Sequence, residues 1–389
     1  MKQQFFMMSI VGLAIYLIAT GLSFGVFAMV RTPGPSLVQS PVTGNGPQGH
    51  FVVDPSLPKT EICPLNGAYF TKQERELWEK RRPLAVMIEN HAESRPQSGL
   101  SSADIVYEAV AEGGITRFMG VFYCGAAGNV TVAPVRSARI YFLPWVLEYD
   151  ALYNHVGGAG NCNDDTVDDR AKALCQIENW KVKDMDQFGI SFPTCYRNYD
   201  RLDHAVATEH TMVCFTDKLY KLASERGWTN VDTKGIAWDK SFEQWKYKDD
   251  SPQSQRGSSF SGSFVAWKGY EREYGVRWDW DPATNTYIRF NGGVAHTDLE
   301  NKEQLRAKVV IVQLAKETGP VDDHAHLLYE NIGSGTGFLW QDGRESPITW
   351  KKATRTARTK FYDAAGKELS LNRGQIWIEL LPIGTLIKK

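Results

Sequence analysis

The stretch IVYEAVAEGGITRFMGVFY, Ile105 to Tyr123, governs how the rest of the chain is read. Two runs rich in Val, Ile, Phe and Tyr flank Gly113-Gly114, a two-residue connection of the kind that closes a β-hairpin. The hairpin sets Glu112 opposite Ile115 and Val110 opposite Arg117. Side chains alternate along a strand, so Glu108, Val110 and Glu112 are expected on one face with Ile115, Arg117 and Met119. Arg117 then lies between two carboxylates, within reach of its long side chain. Such a cluster is either a structural ion-pair set on a sheet or a charged face offered to a ligand. With a guanidinium between them both carboxylates should stay ionised, which argues against a proton-donating acid.

Upstream, Pro83 to Asn90 (PLAVMIEN) reads as a buried strand with a polar exit at Glu89, Asn90 and His91, and Arg95 follows. Before it, Thr71 is placed to cap a short charged helix that stops at Pro83. Downstream, VAPVRSAR reads as a strand end running into a helix capped by Ser137 and reaching Phe142, with Pro144 restarting or kinking the run. Arg136, Ser137 and Arg139 at a helix start would converge guanidinium and backbone N–H donors, which suits phosphate, sulfate or carboxylate. The alternative is that these arginines pair with Glu108, Glu112 or Asp150 inside the fold. ALYNHVGG, Ala151 to Gly158, reads as a strand ending in a glycine turn, where Gly157 and Gly158 allow close backbone approach and His155 is either hydrogen-bonded structure or part of a site.

The candidate ligand-binding set is therefore Arg95, Glu108, Glu112, Arg117, Arg136, Ser137, Arg139, Asp150, His155, Gly157 and Gly158. No catalytic residue is assigned. The chain lacks a phosphate loop, a dinucleotide fingerprint, G-x-S-x-G and H-E-x-x-H, so no cofactor and no metal are expected. The acids of Asn163 to Asp169 are read as complementing the helix that follows, the loop lacking the EF-hand pattern. Two histidine clusters are weighed as metal ligands: Asp203-His204 with Glu209-His210 lacks the H-E-x-x-H spacing and is set aside, and for Asp322-Asp323 with His324 and His326 loop polarity explains the run as well.

The whole chain sets the limits. Its 389 residues suffice for two domains. Lys plus Arg (44) balances Asp plus Glu (45), and no basic run appears, so nucleic acid is not an expected partner. Twelve Trp and 16 Tyr fit a β-rich body or a surface that stacks on sugars. Gln3 to Val30 holds no charge and is long enough to span a bilayer, which predicts a single-pass signal anchor with the body outside; cleavage near Val26-Phe27-Ala28 is the alternative. All six cysteines follow that stretch, consistent with up to three disulfides in an exported body, and nearest-neighbour pairing gives Cys162–Cys175 and Cys195–Cys214. The expected organisation is an anchor (1–31), a Pro/Gly-rich tether (32–59), an α/β domain (60–246), a linker (247–263) and a β-rich domain (264–385).

The motifs RPLAVMIEN, RPQSGLSSADIVYE, EGGITRF, VRSAR and EYDALYNHVGG, in that order, resemble the YerB-like family, domain of unknown function 3048. AHTD (295–298), VVIVQ (309–313), ITWKK (348–352) and GQIWI (374–378) resemble that family's C-terminal domain. The resemblance implies an extracytoplasmic bacterial protein of two parts, often a lipoprotein, and supplies no catalytic residues. Two features depart from the pattern. No lipid-accepting cysteine lies near the apolar stretch, and Glu209-His210-Thr211 stands where the family tends to carry Pro-His-Asn. The expected fold is α+β: an N-terminal α/β domain with a mixed sheet and a smaller, mostly antiparallel C-terminal one. The expected function is non-catalytic binding or scaffolding in the bacterial cell envelope. The Arg/Glu-lined groove would take an anion, a saccharide such as cell-wall polymer, or an envelope protein. The alternative is a glycan hydrolase using paired carboxylates.

Overall fold

The computed structural model describes Asp54 and residues 56–389. The apolar stretch Gln3–Val30 and most of the tether lie outside them. Among the described residues no helix is long and apolar enough to cross a membrane.

The fold is α+β and is built on one ten-stranded mixed sheet. Its strand order is Lys360–Tyr362, Arg344–Lys352, Gly333–Gln341, Val309–Ala315, Ile376–Pro382, Ile105–Glu112, Ile115–Phe122, Leu84–Glu89, Leu152–His155 and Lys183–Asp186. The last strand of the chain, Ile376–Pro382, runs parallel to Val309–Ala315 on one side and to Ile105–Glu112 on the other. The sheet therefore takes strands from both sides of residues 247–263, which themselves contribute to the strands Lys246–Lys248 and Ser261–Phe264.

Alternation along each strand sends residues to two buried faces. One face carries Met87, Tyr107, Met119, Ile311 and Ile378. It is covered by the helix Leu143–Glu148, whose Trp145 stacks on Tyr107 with ring centroids 4.4 Å apart. The opposite face carries Val86, Val106, Phe118, Val312 and Trp377. Over it lie the helix Thr216–Glu225, through Leu219 and Ala223, and a second, antiparallel sheet that includes Val276–Asp281 and Thr286–Asn291, through Trp278 and Tyr287.

Local chemistry sets most of the starts and stops. Thr71 caps the helix Lys72–Trp78, as the sequence predicts, in a reciprocal capping box with Glu74, but the helix ends at Trp78, short of Pro83. Gly113 and Gly114 both have positive φ (56° and 77°), as a tight hairpin turn with matching twist requires. Ser137, by contrast, caps no helix. The chain from Val135 to Ala138 is pinned as an edge, with Arg136 N–H donating to Met87 O at 3.0 Å and Ala138 N–H to Gly157 O at 2.9 Å. The α-helix begins only at Leu143, after the short turn Ile140–Phe142. The three disulfides are Cys63–Cys124, Cys162–Cys175 and Cys195–Cys214, the last joining directly opposed residues of two strands.

A buried charge set ties the two ends of the sequence together on the first face. Glu148 and Lys352 are fully buried and Arg358 nearly so, with Lys352 Nζ 2.7 Å and Arg358 Nη1 2.6 Å from the Glu148 carboxylate. Burial alone would raise the Glu148 pKa, but the two cations outweigh it and hold it below the ordinary value of 4.5. The stability this group contributes is then complete above its unfolded pKa and is lost as pH falls through the lower folded one. Glu148→Gln, which leaves two cations buried without a counter-charge, is expected to cost about 3–5 kcal/mol near neutral pH. The variant should also lose less stability than wild type on acidification; equal denaturation midpoints at neutral pH would contradict the assignment.

Candidate functional site

The hairpin places its charges differently from simple alternation. Glu112 does face Ile115, but Val110 pairs with Thr116 and Ala109 with Arg117, so Ala111 is an extra residue bulged out of the ladder. The bulge moves Glu108 and Glu112 to opposite faces. The expectation that Arg117 bridges two carboxylates is corrected accordingly: Arg117 reaches Glu112 (3.5 Å) and the Ser137 carbonyl oxygen (2.8 Å), and Glu108 is not its partner.

Glu108 instead turns into the second face, where it pairs with Arg289, a side chain with no exposed surface. Arg289 also lies 3.5 Å from Glu379, whose carboxylate accepts from Trp278 Nε1 at 2.9 Å. Arg289 Nε donates to His296 Nδ1 (3.1 Å), so His296 carries its proton on Nε2, which meets Gln97 Oε1 at 2.7 Å. Burial, and then the adjacent Arg289, push the His296 pKa well below 6.5. Glu108, Arg289 and Glu379 are buried side chains and form an internal lock.

The remaining sequence candidates separate into an open group and a buried or distant one. Glu112, Ser137, Arg139 and Gly158 meet around a hollow of about 410 Å³ that is completed by Gly160, Asp164, His324 and His326. Arg139 pairs with Glu112 and donates to the Ala138 carbonyl oxygen at 2.7 Å. Burial would raise the Glu112 pKa, but Arg139 and Arg117 outweigh it and hold it below the ordinary value. Burial lowers Arg117 to about 10, with Arg139 and Arg136 adding repulsion against the pull of Glu112, so the three guanidiniums are electrostatic neighbours. Only Arg139 among them lines the opening. Gly157 lies beside the hollow, its N–H bound to Asp186.

His155 is buried beneath, with Nδ1 2.8 Å from the Gly157 carbonyl oxygen and Nε2 3.0 Å from Asp184. Arg136 points the other way, to Glu89 at 3.0 Å. Arg95 is spent on Asn90 and the Glu273 carbonyl oxygen and lies over the Tyr274 ring. Asp150 sits at the surface, paired with Arg82 and Lys183. Arg136 and Arg139 do not converge at a helix start: their side chains diverge to Glu89 and Glu112, and the N–H groups of Arg136 and Ala138 are bonded to Met87 and Gly157.

Sequence reasoning left Gly160, Asp164, His324 and His326 out of the site. His326 Nδ1 lies 2.8 Å from Asp322 Oδ2, and among the described residues its Nε2 has no hydrogen bond. His324 Nε2 contacts Thr166 Oγ1 at 3.2 Å. The DDHAH run was visible, but nothing local says that it folds against Arg139. The separation of the two carboxylates is testable in stability. Burial, then Glu108, raise the Glu379 pKa well above the ordinary value, which favours its neutral form in the folded state. Stability from such a group is complete below its unfolded pKa and is lost as pH rises through the folded one. Glu379→Gln should therefore stay within about 1 kcal/mol of wild type at neutral pH and remove the alkaline loss. Glu108→Gln, which strands Arg289, should cost about 3–5 kcal/mol. The reverse order in chemical denaturation would refute the arrangement.

Comparison with known proteins agrees with this architecture. Residues 70–229 match the N-terminal domain, and residues 265–378 the C-terminal domain, of the family described as protein of unknown function (DUF3048). A Bacillus subtilis (strain 168) protein named "Putative lipoprotein YerB" is 29% identical over 331 residues, covering 84% of this chain and 88% of the relative. The crystal structure of YerB protein from Bacillus subtilis superposes with a TM-score of 0.68 at 25% identity, covering 85% of this chain and 100% of that one. With both domains present in order, the chain belongs to the DUF3048 family.

Proposed function

We propose that this is a membrane-anchored, extracytoplasmic protein of the bacterial cell envelope that binds a saccharide of the cell wall, without turnover, in the hollow between Glu112, Arg139 and His326. Support for export comes from three disulfides, which persist in oxidising compartments, and from the lipoprotein name of the Bacillus relative. The anchor in this reading is the uncharged stretch Gln3–Val30 as a single-pass helix, since no lipid-accepting cysteine is near it.

One observation carries the ligand class: Glu112 pairs with Arg139 and Arg117 at the edge of a hollow whose size falls in the ~300–1,000 Å³ range of ligand pockets. With the guanidiniums already partnered, the lining offers donors and acceptors side by side. That matches the hydroxyl groups of a sugar better than a bare anion, which would compete with Glu112 for both arginines. A second reading, hydrolysis of wall glycan, draws on the Asp322–His326 pair, an oriented imidazole with a free Nε2 facing polar space. Paired carboxylates do not favour it, since Glu108 is buried on the far face and Asp150 lies at the surface.

Calorimetric titration of the full chain with muropeptides, with product analysis by mass spectrometry, tests both readings. Arg139→Gln and His326→Gln should each weaken binding at least tenfold, about 1.4 kcal/mol, with no new fragments. Unaltered affinity in both variants, or no binding by wild type, would overturn the proposal; fragment release abolished by His326→Gln would establish the second reading instead.

A further inference from the structure

We propose that His210, Glu93 and His91 bind a divalent transition-metal ion at a second site, separate from the hollow and independent of its function. One ligand atom from each of the three lies within 4.8 Å of the others. His210 Nε2 is 3.9 Å from Glu93 Oε2, and the two imidazole rings are stacked, 4.7 Å apart at 15°, so the less buried His91 ring must turn before both in-plane lone pairs meet one ion. Ligands about 2.1 Å from a tetrahedral ion stand about 3.4 Å apart. Glu93, exposed at 65%, can close the half-ångström or so to His210 Nε2, and the separations of up to 4.8 Å within the triad close as His91 turns.

The support behind these ligands is built as metal sites build it. His210 Nδ1 lies 2.7 Å from Glu89 Oε2, and Glu89 is held by Arg136 at 3.0 Å. A carboxylate on the far nitrogen keeps the proton on Nδ1 and turns the Nε2 lone pair toward Glu93, the arrangement seen in carboxylate–histidine–zinc triads. The backbone is fixed as well. Ser94 Oγ donates to the His91 carbonyl oxygen at 2.7 Å, and Arg201 donates to the carbonyl oxygens of Ser94 and Pro96 at 2.6 and 2.7 Å. Glu89 and Glu93 are balanced by Arg136 and by Arg201, which lies close enough to feel Glu89, so the ligand set and not a charge surplus must hold the ion.

Two imidazoles and one carboxylate suit zinc, nickel or copper rather than calcium or magnesium. His91 is the weakest of the three ligands. Its Nδ1 accepts from the Glu93 N–H at 3.3 Å, and coordination through Nε2 requires that long contact to be given up. Three protein ligands, of which Glu93 faces solvent, leave a fourth coordination position open. A second group of ligand-type residues, Cys63, Asp104 and Cys124, is excluded because its sulfurs are joined to each other.

The test strips the purified full chain with chelator, reloads it with Zn²⁺ and measures retained metal after gel filtration. Wild type should hold one equivalent, Glu93→Gln should bind at least tenfold more weakly, and His210→Ala should hold none. His204→Ala, an exposed histidine paired only with Asp203, should match wild type. Co²⁺ loading gives a second readout, visible absorption bands that vanish in His210→Ala. Glu93 is exposed, so its variant tests the site without a folding burden. Wild type that retains no metal, or variants at Glu93 and His210 that retain as much as wild type, would overturn the proposal.

Discussion

The final strand of the chain lies in the middle of its largest sheet, and the rest of the architecture follows from that placement. Ile376–Pro382 can pair on both sides only if Val309–Ala315 and Ile105–Glu112 are already within hydrogen-bonding distance of the same line. Two sequence segments that each match a domain of the family thus share one backbone ladder. Without the strand, two long apolar edges would stand open, a state that proteins avoid. The two faces of this seam are each fastened by buried charge: Glu148 with Lys352 and Arg358 on one, Glu108 with Arg289 and Glu379 on the other. Separating a buried ion pair strands a charge, so each set favours one register of one half against the other.

This constraint also positions the hollow. Glu112 and Arg117 come from the hairpin, Arg139 and Gly158 from the segments that pack over its end, and His326 from the C-terminal half. A loop from beyond the linker completes the lining of a site founded in the first half. The docked seam is what brings it there, and the bulge at Ala111 aims Glu112 toward it while sending Glu108 inward.

Much of this was legible from short-range signals. The Gly113-Gly114 turn, the Thr71 cap, most of the strands and two of the three disulfides depend on residues near one another in sequence, where propensity and spacing act directly. The bulge was not legible, because Glu108, Val110 and Glu112 alternate without interruption and one inserted residue leaves no compositional mark. Ser137 resembled a helix cap, but its neighbours found strand-like partners in Met87 and Gly157 first. Arg289, with no exposed surface at the centre of a buried network, sits in TYIRFN, where nothing local announces it. His91 and His210 stack on each other from distant parts of the chain, and only the tertiary fold shows that they meet.

The most direct test of a shared sheet is native-state hydrogen exchange of the full chain, resolved by residue. If Ile376–Pro382 joins both halves, amides of Ile105–Glu112, Val309–Ala315 and Ile376–Pro382 should exchange through one global opening, with equal free energies and equal sensitivity to denaturant. Amides of the first half that stay protected while those of Val309–Ala315 and Ile376–Pro382 exchange through a separate, lower-energy opening would contradict it.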